Sequence, residues 1–293
     1  MRIGIMAGTT GADAPEAFAG EARAAAEAGL RSWWLPHVFG YDALTLLGWL
    51  AGEVTGIGFG TAVVPTWTRH PMVMAQQALT VAALSPGRFT LGLGLSHQVV
   101  IEGMLGIPWQ RPVRHLSEYL DMLLPLLAER RHGAVQLSAE APTPPVLVAA
   151  LGPKMLQLAG ARTDGTITWM TGPRTLASHT VPGLRRAAEA AGRPDPQVVA
   201  GFPVCVTDDP AKARERAARA YTIYGQLPSY RAMLDREGVA GPEDLAVVGD
   251  EAAVSEWLAE AEAAGATEVV ASLFGRPEEK DRSLALLARL AAS

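Results

Sequence analysis

The sequence predicts an α/β fold: one (β/α)8 TIM barrel over residues 1–293, with insertions after strands four and seven. Three observations lead there. Short apolar runs alternate with helical periods from end to end, and the strand–helix units number eight. Helices close on a shared signature, Glu27-Ala28-Gly29, Glu189-Ala190-Ala191-Gly192 and Glu262-Ala263-Ala264-Gly265, each glycine a left-handed cap with a strand a few residues on. No Gly-x-Gly-x-x-Gly follows the first strand, as an open dinucleotide-binding sheet would place it. Glycines instead follow strands three to six, whose loops share one mouth in a barrel.

Arg2–Met6 reads as the first strand and Pro15–Ala28 as a helix with Phe18, Ala22 and Ala25 on one face. Ser32–Leu35 is the second strand, its Trp33 and Trp34 both expected in the core, and Asp42 caps a helix to about Glu53. The third strand lies within Gly56–Pro65. Its glycines alternate with Ile57 and Phe59, a spacing that lets another group approach the backbone closely. A helix over Pro71–Leu84, the turn Ser85-Pro86-Gly87 and a fourth strand over Arg88–Gly94 follow. The long connection Leu95–Pro112 leads to a helix from about Val113 to Arg131, kinked at Pro125.

An irregular arm comes next, with a short strand at Val135–Leu137. The fifth strand, Pro145–Leu151, and the sixth, Gly165–Met170, each run into a Gly-Pro that starts a helix. Gln197–Val206 is the seventh strand, and Asp209-Pro210 opens the helix Ala211–Tyr221. Gln226–Leu245 is an insertion punctuated by Pro228, Gly238, Gly241 and Pro242. The helix Asp250–Ala264 carries Val254, Trp257, Leu258 and Ala261 at helical spacing, Glu268–Phe274 is the eighth strand, and Glu278–Leu290 is the closing helix.

Composition narrows the function classes. A net charge of −5 argues against nucleic acid or an anionic membrane as the main partner, since both need a basic surface. The single cysteine, Cys205, excludes an intrachain disulfide and fits a reducing cytoplasm. No apolar run reaches the roughly 18 residues of a membrane span. The expected partner is a small-molecule substrate.

His37, His70 and His97 each sit just past a strand, where barrels place catalytic groups, and imidazole moves protons near neutral pH. His70, at a helix start, reads as structural. No carboxylate or cysteine joins the histidines at ligand spacing, so no metal is expected. The turn Ala149-Ala150-Leu151-Gly152-Pro153-Lys154 is either an anion site built from backbone N–H groups or an ordinary β–α turn. Thr171-Gly172-Pro173-Arg174 offers a second such donor cluster beside it, with a cation. Phe39, Trp67, Trp109 and Trp169 fall at the mouth, as walls of a pocket or as loop packing. Tyr221, Tyr224 and Tyr230 flank the late insertion as a lid or a subunit contact, and Cys205 reads as a buried apolar residue.

Gly60-Thr61-Ala62-Val63-Val64-Pro65 with Arg69-His70-Pro71 resembles the third-strand signature of the luciferase-like family. Ser85–Gly94 resembles its fourth strand, and Ala149–Pro153 and Ala161–Gly165 its next two junctions. Within that family the chain looks most like the actinobacterial branch that uses the deazaflavin coenzyme F420, with relatives among methylenetetrahydromethanopterin reductases, glucose-6-phosphate dehydrogenases and secondary alcohol dehydrogenases.

The resemblance implies an oxidoreductase passing a hydride between the deazaflavin C5 and a small, rather apolar substrate. Reduction of an activated C=C or C=N bond with F420H2 is the leading form. An FMN-dependent monooxygenase is the alternative, and a barrel that binds its ligand without turnover is a third reading. The resemblance further implies a homodimer and a non-prolyl cis peptide at Ala62–Val63 behind the ring. It puts the coenzyme tail along Ala149, Ala150, Leu151, Gly152 and Pro153, with Gly94, Ser96 and Gly165 beside the coenzyme. The proton falls to His37 or His97. Pro36 stands where the family often has aspartate, and His97 where the sugar-phosphate dehydrogenase uses a glutamate, which argues against sugar-phosphate oxidation.

Overall fold

The computed structural model describes residues 1–8 and 14–292. Eight parallel strands close on themselves: β1 (Arg2–Met6), β2 (Ser32–Leu35), β3 (Gly58–Thr61), β4 (Phe89–Gly94), β5 (Val146–Val148), β6 (Gly165–Trp169), β7 (Gln197–Val206) and β8 (Glu268–Leu273). Each pairs with the next, and β8 returns to β1 in the register Arg2↔Glu268 to Ile5↔Ala271. The predicted barrel is the observed one.

The helices are α1 (Pro15–Glu27), α2 (Ala43–Glu53), α3 (Pro71–Leu84), α4 (Pro112–Ala128), α5 (Pro153–Arg162), α6 (the helical run 173–190, with a π turn at Leu176–Thr180), α7 (Pro210–Gln226), α8 (Pro228–Glu237), α9 (Glu251–Ala263) and α10 (Pro277–Ala292). Asp42, Asp209 and Asp250 cap α2, α7 and α9 by accepting the backbone N–H of Thr45, Lys212 and Ala253. Among the described residues no helix is long and apolar enough to cross a membrane.

The apolar residues divide into two layers. Trp33, Phe59, Leu91 and Phe202 pack outward against the helices. Met6, Trp34, Leu147, Ile167, Val199 and Val270 fill the barrel itself. Adjacent residues on a strand point to opposite faces, which is why Trp33 and Trp34 are both buried yet in different layers. Two glycines make the interior fit. A Cβ on Gly60 would lie 2.2 Å from the Trp34 ring, and one on Gly92 would lie 1.9 Å from the Thr61 carbonyl oxygen. The third strand then breaks at a cis peptide, Ala62–Val63, and resumes at Val64–Pro65 against the end of β4.

The structure corrects the sequence reading in the insertions. Gln226–Leu245 is ordered as α8 and a 3₁₀ turn at Pro242–Leu245, and α7 runs through to Gln226 instead of stopping at Tyr221. A further strand, Val247–Gly249, pairs with Val204–Val206, the end of β7 that runs beyond its pairing with β6. α4 ends at Ala128, because Arg131–His132 leaves it to form a hairpin with Val135–Gln136. The connection after β4 holds a π turn at Val99–Met104.

Candidate active site

At the C-terminal ends of the strands, Ala62, Val63, Ala149 and Trp169 sit half-buried on the apolar plug that fills the barrel. Three small side chains and one flat ring make a smooth apolar floor. Gly94 contributes from beneath. Its Cβ would lie 2.4 Å from Val63 Cγ2 and 3.5 Å from Ala149 Cβ, so the missing side chain is what seats Val63. Ser96 adopts a left-handed conformation (φ +60°) that turns the chain out of β4 toward His97.

His37 stands on one side. Its Nδ1 accepts the backbone N–H of Ala43 at 3.2 Å, so a neutral ring carries its proton on Nε2. Asp42 lies 3.7 Å from Nδ1 and is itself paired with Arg69. Burial, reinforced by the Arg69 charge and opposed by Asp42, holds the His37 pKa below the ordinary 6.5. Burial alone lowers that of His97. Both rings are therefore neutral at pH 7. Stability from these unprotonated rings is complete above pH 6.5 and is lost as pH falls from there through the depressed native values. A urea-melt series across pH 5–8 should show this acid limb, and it should shrink in a His37→Asn, His97→Asn double variant.

An aromatic wall faces the floor. Trp169 meets Tyr221 and Tyr224 with ring centroids 6.0 and 6.2 Å away, Tyr224 meets Tyr230 at 4.9 Å, and Tyr230 meets His97 at 5.7 Å. Through Tyr230 of α8 this wall reaches across to the loop after β4. Burial raises the hydroxyl pKa of all three, so they stay protonated.

The two predicted donor turns differ. At the start of α5, the N–H groups of Leu151 and Gly152 donate to no other backbone group among the described residues, and Gly152 provides no side-chain cap. A Cβ on Gly152 would meet nothing of the described residues within 4 Å. At the start of α6, the N–H groups of Arg174 and Thr175 donate to Glu237 Oε1 and Oε2 at 3.1 and 2.7 Å. The second turn is thus filled by a carboxylate of the chain itself, contrary to the expectation of two free neighbouring anion sites. His179 Nε2 lies 2.8 Å from the Leu151 carbonyl oxygen and braces the first turn against α6.

Other expected site residues lie elsewhere. Gly165 opens β6 and so sits at the opposite end of the barrel from the mouth. It is glycine there because Gln197 backbone atoms crowd its Cβ position, at 2.0 Å, and because its φ is +149°. Phe39 is 71% exposed and lies on the rim. Trp67 and Trp109 pack together at 5.3 Å, and the His115 ring stacks on Trp67 at 3.6 Å while its Nε2 lies 3.0 Å from Thr66 Oγ1. His70 caps α3 by accepting the Met72 N–H, as its position implied. His115 and Glu237 have no local signal in the sequence: both act on residues tens of positions away.

A cavity of about 390 Å3 opens at the base of the barrel, lined by Arg2, Ser32, Gly58, Arg88, Gln197 and Glu268. Arg88 is spent on the carbonyls of Ala51, Val54 and Ile57, and Glu268 on Arg2, Ser32 and Trp34. Such contacts hold strand starts together, and barrel chemistry sits at the other face.

A closed eight-stranded parallel barrel with its floor, histidines and donor turn at the C-terminal mouth defines a barrel of enzyme type. Residues 1–273 match the luciferase-like monooxygenase family, and the chain belongs to it. It is 29% identical over 292 residues to an F420-dependent glucose-6-phosphate dehydrogenase of Kineococcus radiotolerans, covering 89% of this chain and 84% of that protein. Among solved structures it resembles an F420-dependent secondary alcohol dehydrogenase in complex with an F420–acetone adduct, with a TM-score of 0.82 at 18% identity over 98% of this chain and 97% of the other. It also resembles the coenzyme F420-dependent tetrahydromethanopterin reductase of Methanopyrus kandleri, with a TM-score of 0.79 at 20% identity over 99% and 98%. At these identities the structural likeness shows the fold.

Proposed function

We propose that this chain is a coenzyme F420-dependent oxidoreductase that reduces an activated C=C or C=N bond of a small, largely apolar substrate. The observation that carries the reading is one continuous site: an apolar floor of Ala62, Val63 and Ala149 running into the open donor turn at Leu151 and Gly152. Those residues fit a flat ring with an anionic tail. Among the described residues the hydroxyls of Thr168, Thr171, Thr175 and Thr180 are also buried without a hydrogen-bond partner, which leaves the neighbouring segment with spare polar groups.

When bound, the coenzyme supplies a hydride carrier at the deazaflavin C5. The chain does the rest. Ala62 and Val63 would back the ring, and Ala149 to Pro153 would hold the tail, the Leu151 and Gly152 N–H groups being the donors available to an anionic group. His37, fixed through Nδ1, presents Nε2–H for proton transfer. His97 closes the pocket against Tyr230, and Trp169 and Tyr224 exclude water. The aromatic wall and the Glu237 carboxylate on the second turn favour a substrate without an anionic group.

Ala149→Phe tests the placement. The bulk would fill the floor at a half-buried position, so the melting midpoint should hold while the Kd for F420 rises about 100-fold. Unchanged affinity would move the ring elsewhere. We further assign the protein to the cytoplasm as a homodimer. Trp49 of α2 and Val73 of α3, each 38% exposed on neighbouring helices, support a contact there. Light scattering at micromolar concentration checks it, and a monomer mass would sink the assignment.

A further inference from the structure

Helix α8 has one face turned toward the barrel. Tyr230 and Glu237 are seven residues apart, within about 20° of the same direction on an α-helix. Met233 and Leu234, buried at 3% and 2% exposure, lie between them on that face. At one end Tyr230 packs on His97, which follows β4. At the other, both carboxylate oxygens of Glu237 take the N–H groups of Arg174 and Thr175, which follow β6. The contact is tight: a Cβ on Gly172 would lie 2.3 Å from the Glu237 carboxyl carbon. Arg174 Nη1 adds a long bond to the Glu237 carbonyl at 3.5 Å. Beyond Glu237, Arg231 binds the carbonyls of Val239 and Ala240, which stiffens the exit from the helix.

Seven residues of helix span about 10.5 Å, and two inter-strand spacings about 9.6 Å. The helix therefore has the length to bridge from the loop after β4 to the loop after β6, across the rim that carries Ala149–Pro153. We propose that α8 is a strap over the mouth and that Glu237 is its latch: the carboxylate on the α6 start holds Tyr230 down on His97. The two ends are mechanically coupled, so releasing the latch frees the far contact. This inference concerns the ligand-free chain and stands or falls apart from the choice of coenzyme.

Amide hydrogen exchange by mass spectrometry on the full chain tests it, comparing wild type with Glu237→Ala and with Glu237→Asp, a shorter carboxylate that keeps the fold if the alanine variant does not. In Glu237→Ala, exchange should rise about tenfold in 173–176, in 228–238 and in 95–104, while β1, β5 and α5 keep wild-type protection. Glu237→Asp should fall between the two. Loosening confined to 173–176 would make the carboxylate a local helix cap and overturn the strap. Unchanged exchange in 228–238 and 95–104 would overturn it equally.

Discussion

Gly92→Ala is expected to destabilise the barrel by about 3 kcal/mol and to abolish coenzyme binding. The new methyl would sit 1.9 Å from the Thr61 carbonyl oxygen and 3.1 Å from Val63 Cγ1. The first obstacle is backbone, which no rotamer change can move aside. Thr61 and Gly92 are also locked together. Thr61 Oγ1 accepts the Gly92 N–H and donates to the Gly92 carbonyl, both at 2.8 Å, so the strands cannot part without losing two buried bonds. The displacement would fall on Ala62 and Val63 of the floor. Gly52→Ala in α2, where nothing lies within 4 Å, is the control and should stabilise by about 0.5–1 kcal/mol. Urea midpoints and an F420 titration of both variants check the pair; a Gly92→Ala protein with native midpoint and affinity would contradict the packing described.

His37→Ala is expected to lower kcat by about 10²- to 10⁴-fold with coenzyme affinity unchanged. The ring is held by the Ala43 N–H and flanked by the Asp42–Arg69 pair, so its tautomer and direction are set before any substrate arrives. It is also neutral at pH 7, because burial and Arg69 act against protonation. Steady-state kinetics with F420H2 under anaerobic conditions would show the effect in kcat. His97→Ala, by contrast, should mainly raise KM, since that ring packs on Tyr230 of the strap. A His37→Ala enzyme at wild-type kcat would remove His37 from the chemistry.

The parts of the fold that were legible in the sequence rest on local physics. Pro71 and Leu84 bound α3 as read, Asp42 and Asp209 cap the helices they precede, and the glycines around strand three mark close packing. What those glycines admit was not legible. At Gly60 and Gly92 the neighbour is Trp34 or Thr61 of the same chain, and a spacing pattern cannot say whether a ligand or a strand fills the gap. The late insertion departs from its sequence pattern for a related reason. Pro228 and Gly238, read as punctuation, are the N1 residue and left-handed cap of α8. Glu237 binds residues 62 and 63 positions away, and His115 binds one 49 away, so neither carries a local signature. Gly165 fell at the wrong end because a junction motif spans a strand start, which lies a barrel's height from the mouth.

The central claim is that the floor at Ala62, Val63 and Ala149 and the turn at Leu151 and Gly152 hold one redox coenzyme of the deazaflavin kind. Anaerobic titration of the purified chain with F420 and, separately, FMN, followed by addition of an activated alkene to the reduced complexes, tests it most directly. The account predicts micromolar or tighter binding of F420 and oxidation of F420H2 by the acceptor without oxygen. Binding of FMN alone, with turnover only once oxygen is admitted, would contradict it.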